Sequence, residues 1–325
     1  MTEANEDAQG PGRVGVRLYA ASRHHASEAR ARRSSPNEID RLDGAWHAGA
    51  AVELIAKAAL HEADPRLLSD GADAQHALLE AVAEVHGKSD ALPAAPKPGP
   101  RTIGAATAVA LVSRLDSGAQ QHESAANRVL RLRNAAVHMA EIPTAAQLTT
   151  AVTGMEGFVD AVAVLLHGSS HDYWGVDFDE VTAERRAAER ATEASATEKV
   201  RVAAAGFHQF VEQLPDDVRT AVLAYLQGRD TAGSADVSGS VDCPACRNEA
   251  TVTWDIDVDA EEELPGEYTY TSFFAPSGLR CPVCGLSLDP EEVDALGIDV
   301  GDAADYVDYE PPDDYRDEER WYAEP

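Results

Sequence analysis

Lysine is nearly absent from this chain, with four residues against 23 arginines in a length of 325. Its cations are therefore almost all guanidinium groups, which stay charged and grip carboxylate or phosphate oxygens in pairs. Positive charge is scarce altogether: 27 Lys+Arg face 57 Asp+Glu, for a formal net charge of −30. That balance excludes general binding to nucleic acid or an anionic membrane and leaves only local patches for a polyanion. Long apolar runs are missing as well. No stretch approaches the roughly 18–20 consecutive apolar residues of a spanning helix, and residues 1–12 are polar and acidic, unlike a secretory signal. The expectation is a cytoplasmic protein that does not use a membrane. Cysteine is limited to four residues in two close pairs, which without export features point to a metal rather than to disulfides.

What is present is helical pattern. Residues 1–35 carry six arginines between Arg13 and Arg33 with His24 and His25; their polar composition predicts a disordered tail. Ser35-Pro36-Asn37-Glu38 reads as a capping box opening a helix to about His61, where Asp64-Pro65 stops it. Its apolar positions, including Ala45, Ala48, Val52, Ile55 and Ala59, recur at three-four spacing, and Trp46 and His47 read as packing. Further helices are expected over about 73–86, 104–115, 120–141 and 145–166, with a proline-rich loop over 91–100 between the first two. Residues 36–167 thus form an α-helical bundle. A helical extension (168–227) follows, then a Gly/Ser/Asp linker (228–240), a small four-cysteine β element (241–290) and an acidic tail (291–325). The fold class is mainly α with one small β ribbon.

Cys243-Pro244-Ala245-Cys246 and Cys281-Pro282-Val283-Cys284-Gly285 are separated by 34 residues. Each C-x-x-C offers two thiolates from one tight turn, and two such turns complete a tetrahedral zinc site. Gly285 suits the left-handed backbone that closes such a turn. Thr251–Val258 and Tyr268–Phe274 between the pairs are strand-like, so the arrangement resembles a zinc ribbon with Cys243, Cys246, Cys281 and Cys284 as ligands of a structural zinc. Redox dithiols are disfavoured, because neither pair sits at a strand-to-helix turn. The fifteen acidic residues that follow against Arg316 and Arg320 also disfavour nucleic-acid binding at this end.

The stretch Arg128–His138, RVLRLRNAAVH, gathers three arginines, an asparagine and a histidine on one helix. Arginine followed at this spacing by histidine is cheap: five such pairs occur in the chain, Arg17 with His24 and Arg201 with His208 among them. The polar Asn134 directly after Arg133 and the position late in a bundle distinguish this pair. RNAAVH resembles the motif of HEPN domains, an all-α family with many metal-independent endoribonucleases in toxin, antiphage and RNA-processing systems. AGAAVELIAKAAL in the first bundle helix resembles that family's opening helix. The likeness covers about residues 36–167.

The resemblance implies that Arg133, Asn134 and His138 take the catalytic roles, with a homodimer bringing two motifs to one cleft. A histidine titrating near neutrality moves the ribose 2′-hydroxyl proton or protonates the leaving 5′-oxygen, and an arginine stabilises the phosphorane charge. Products would be a 2′,3′-cyclic phosphate and a 5′-hydroxyl, with no catalytic cofactor. Arg128 and Arg131 are candidate RNA contacts. On a helical wheel Asn127, Arg131, Asn134 and His138 share one polar stripe, whereas Arg133 lies about 140° from His138. Arg133 must therefore either reach back to the stripe or pair with a bundle carboxylate such as Glu53. Residues 101–140 carry five arginines against Asp116 and Glu123, so a local basic patch survives the −30 average. The competing expectation is a non-catalytic module that binds RNA or a protein partner, such as an antitoxin.

Overall fold

The computed structural model describes residues 12–68, 102–229, 237–264 and 267–300, which divide into two units with the boundary at Arg185/Arg186. The expected helix over 73–86, the proline-rich loop and the tail beyond residue 300 lie outside the described residues. In the first unit come α1 (Gly12–Arg32), α2 (Glu38–Ala63), a 3-10 turn (Pro65–Leu68), α3 (Ala105–Leu115), α4 (Ser117–Gln121), α5 (Glu123–Met139) and α6 (Ala145–His167). The short α7 (His171–Trp174) and a second 3-10 turn (Gly175–Asp177) lead into α8 (Phe178–Gln213), which crosses the boundary.

Helix α2 is the axis of the bundle. Ala45, Ala48, Ala51, Val52, Ile55, Ala56 and Leu60 are fully or nearly fully buried along it, and α1, α3, α5 and α6 all pack against it. Asn37, rather than Ser35, caps it: the Asn37 Oδ1 accepts from the Ile39 amide at 2.9 Å. Ser35 instead accepts from the Asn37 amide and donates to Asp40. Thr144 and Gln147 form a full capping box on α6, which ends at the left-handed Gly168. The single helix expected over 120–141 is two helices broken at His122, whose ring occupies the space beside Gly157 of α6.

The tail expected over residues 1–35 is a correction. Residues 12–32 form α1, antiparallel to α2, with Ala26, Ala29 and Ser22 buried and Ser22 Oγ donating to the Ala51 carbonyl at 2.8 Å. The buried contacts of α1 are made chiefly by alanine and serine, so no large-residue stripe announced it.

A second correction concerns α6. Its most apolar window has a mean hydropathy of 1.4, and by length and composition it could cross a membrane. In the bundle 61% of that window is buried, with Leu148, Val152, Met155, Phe158, Val159 and Val162 in the core. The same helix carries the fully buried Glu156, whose Oε1 lies 3.1 Å from Nε of Arg30 on α1 and 3.6 Å from Nη1 of Arg33 in the turn that follows α1. The Glu156 oxygens make no hydrogen bond among the described residues, so these contacts are Coulombic. Next to it Asp160 accepts from the Trp174 indole and from Arg185 at 2.7 Å.

In the second unit the distal part of α8, α9 (Asp216–Gln227), a four-stranded antiparallel sheet and α10 (Pro290–Ala295) share one core. The strands are β1 (Val237–Asp242), β2 (Glu249–Leu264), β3 (Glu267–Arg280) and β4 (Ser287–Leu288), in that order. Ala196, Val200, Ala203 and Phe207 of α8 and Leu223 and Leu226 of α9 pack with Leu279, Leu288 and Val293. The helical extension is therefore not a domain apart from the ribbon, and the end of the expected linker is β1. The ribbon also continues past residue 290: Pro290 opens α10, Asp289 and Glu292 box its cap, and Lys199 of α8 reaches Glu292 at 2.6 Å.

Burial raises the Glu156 carboxyl to about 7, against the opposing pull of Arg30 and Arg33 and with Glu184 adding to it. A raised folded-state value stabilises below the ordinary carboxylate range, and that stability is lost as pH rises through about 7. Compared with Glu156→Gln, the natural chain should lose up to about 3 kcal/mol of stability between pH 5 and 8, because a tenfold change in a proton affinity is worth about 1.4 kcal/mol. Urea denaturation at both pH values checks this; a difference between the two chains that is independent of pH would refute it.

Candidate functional site

Helix α5 runs antiparallel to α2, and one glycine sets how closely they meet. A Cβ at Gly49 would lie 2.5–2.8 Å from the Cβ, Cγ and Cδ of Arg133. The arginine stem lies across the bare backbone of α2 there. Its Nη1 donates to Glu53 Oε2 at 2.8 Å and its Nε to Asn134 Oδ1 at 3.0 Å. Glu53 also accepts from Lys57 at 2.7 Å through Oε1, and Lys57 donates to Thr102 Oγ1 at 3.0 Å. Burial pushes the Glu53 carboxyl up, but Lys57 and Arg133 together outweigh it and hold the group below the usual carboxylate range. Of the two courses open to Arg133, the structure takes the ion pair with Glu53.

The consequence passes to Asn134. With its oxygen engaged by Arg133, the amide leaves its NH2 to donate. Asn134 is half-buried, as are Arg131 and Arg128, and Arg128 donates to Ser124 Oγ at 2.7 Å. His138 is exposed in the last turn of α5, and Ala140, in left-handed conformation at φ 51°, ends the helix two residues later. The structure thus joins Arg133 and Asn134 directly and sets His138 in solvent one turn on. Arg131, Asn134 and His138 follow one side of the helix, and Arg133 enters from the α2 side. The sequence named Glu53 as a partner of Arg133, and the i,i+4 spacing of Glu53 and Lys57 also gave that ion pair, but Gly49 and Thr102 were missed. The signal that could have found them was Gly49 itself, since an interior helix glycine costs about 1 kcal/mol and needs a packing reason.

A second cluster joins α1 to α2. His25 Nδ1 and His47 Nδ1 are 2.7 Å apart, so a single proton serves both. Trp46 meets the His25 ring edge-on at 5.2 Å and the His47 ring at 4.6 Å. Burial lowers both histidines, His24 further lowering His25 while Asp43 partly opposes the shift at His47. His47 was expected to pack and does; its pairing with His25 was hidden because α1 was not anticipated.

The four cysteines do converge. Their Sγ atoms all lie within 4.8 Å of one another, with Cys243–Cys284 at 3.6 Å and Cys246–Cys281 at 3.5 Å. Metal–sulfur bonds of about 2.3 Å in a tetrahedron give sulfur–sulfur edges near 3.8 Å, so the set fits a four-thiolate ion. The two turns are copies of each other. Arg247 N donates to the Cys243 carbonyl and Gly285 N to the Cys281 carbonyl, both at 3.0 Å, with Arg247 at φ 61° and Gly285 at φ 74°. Thiol donation from Cys281 and Cys284 draws Cys243 down to about 4, while the same crowding pushes Cys284 up. Holding all four as thiolates requires a cation.

Metal content of the purified chain should be near one per molecule and fall toward zero in Cys281→Ser; unchanged content in that variant would remove the site. Gly285→Ala should weaken metal retention by about 1 kcal/mol, the cost of a left-handed alanine, measured by competition with a chromogenic chelator. Comparison of the chain with family models, with curated proteins and with solved structures found no match.

Proposed function

We propose that the helical unit is a metal-independent endoribonuclease of HEPN type and that the second unit is a zinc ribbon with a structural ion. The observation that carries the first reading is the division of labour along α5. Arg133 is fixed across Gly49 by Glu53 and hands a fixed orientation to Asn134. Arg131 and the exposed His138 line the same side of the helix. In this reading His138 takes the 2′-hydroxyl proton or gives one to the 5′-oxygen, and Asn134 donates to a phosphate oxygen. Arg131 supplies the charge facing the phosphate, and Arg133 is a positioning residue. The ribbon reading rests on the four converging thiols, and zinc is the ion that suits four thiolates in a tetrahedron.

The Arg133–Glu53 pair also favours a second reading, because a purely structural bundle uses the same bridge. The chain would then bind RNA or a protein partner without cutting, and binding would survive the loss of His138.

Incubation of a panel of single-stranded RNAs in excess EDTA separates the two. The natural chain should cleave, leaving 2′,3′-cyclic phosphate ends, and His138→Ala should be slower by about 10²–10⁴, the usual worth of general acid–base catalysis. Equal cleavage by both chains, or no cleavage of any RNA by the natural one, would overturn the enzyme reading. Glu53→Gln should lower the cleavage rate and destabilise the bundle by about 1–3 kcal/mol, since it leaves Arg133 and Lys57 short of a counter-charge.

A further inference from the structure

The ring cluster on α1 and α2 belongs to neither the α5 stripe nor the metal centre, and Trp46 within it is 41% exposed. Its position follows from the way α2 meets α5. Arg41 Nε donates to the Pro143 carbonyl at 2.7 Å near one end of the antiparallel pair, and Gly49 lies under Arg133 higher up. Between those two contacts Trp46 falls at the level of the last turns of α5, where His138 sits.

Direction around each helix agrees. Gly44 meets Leu148 of α6, and at about 100° per residue Trp46 lies roughly 160° from it around α2. On α5, Ala125 and Val129 meet Gly154 of α6, and His138 lies roughly 160° from their mean direction. Both Trp46 and the His138 stripe therefore border the side of the α2–α5 pair that faces away from α6. The helix axes lie about 8–10 Å apart in such packing, and His138 turns about 140° away from the α2-facing Arg133, so a strand lying across that face of α5 would span the two groups.

The indole is also held in place. His25 and His47 flank it and are bonded to each other, and Asp43, one turn before His47, is engaged by Arg32 at 2.8 Å. A fixed, uncovered aromatic ring beside a row of guanidinium and amide donors is the combination that single-stranded nucleic acid uses: bases stack while phosphates meet cations. Arg131 on the stripe and Arg128 beside it bring cationic groups to α5.

We propose that Trp46, braced by His25 and His47, is the stacking platform for an unpaired base of the RNA whose phosphate lies at the α5 stripe. The inference rests on the ribonuclease reading and adds a base-binding subsite to it.

The test uses the full-length chain carrying His138→Ala, so that substrate stays intact, with a short fluorescein-labelled single-stranded RNA followed by anisotropy. Adding Trp46→Ala should weaken binding about 5- to 100-fold, the range for loss of one stacked base, and Trp46→Phe should recover most of it. Melting monitored by circular dichroism should show the same folded state in all three chains. Equal affinity with and without the indole overturns the platform while leaving the nuclease reading intact. No RNA binding by the His138→Ala chain, together with no cleavage by the natural one, overturns that reading and the platform with it.

Discussion

A carboxylate between two cations joins α2 to α5: Glu53 accepts from Lys57 on its own helix and from Arg133 on the other. The arrangement of the α5 side chains follows from where that bridge sits. It is close-range only because Gly49 has no side chain, which lets the arginine stem lie on the backbone of α2. It fixes the height of α5 against α2, and through Nε it sets which way Asn134 presents its amide. Half-buried charge of this kind costs desolvation that a hydrophobic pair would avoid. Such a bridge is retained where orientation matters more than stability.

Much of the bundle was legible because its information is local. The three-four spacing of α2 and its stop at Asp64-Pro65 each depend on residues within one or two turns. The cysteine cluster was legible for the same reason, since two short turns carry all four thiols. What escaped depends on partners distant in the chain. Helix α1 has a polar composition and buries chiefly Ser22, Ala26 and Ala29, and close packing of small residues leaves no hydrophobic signature. The break at His122 exists because Gly157 on α6 leaves room for an imidazole. The linker expected over 228–240 shares its Gly/Ser composition with β1, whose Val237 and Val241 join the ribbon's core.

For the site, the letters of the motif were readable in the chain without their division of roles. A wheel placed Arg133 off the His138 stripe and named Glu53 as one destination for it, and the ion pair is there. Why Arg133 settles on α2 rather than reaching back to the stripe could not be read from spacing. The reason lies in Gly49, whose significance is visible only once the two helices are side by side.

The two cysteine turns differ in one respect. Gly285 adopts its left-handed backbone at little cost, whereas Arg247 holds the equivalent position with a side chain and is strained by about 1 kcal/mol there. The two halves of the four-thiol set are therefore unequal: a metal held there would have to offset backbone strain at the Cys243–Cys246 turn that the Cys281–Cys284 turn does not carry.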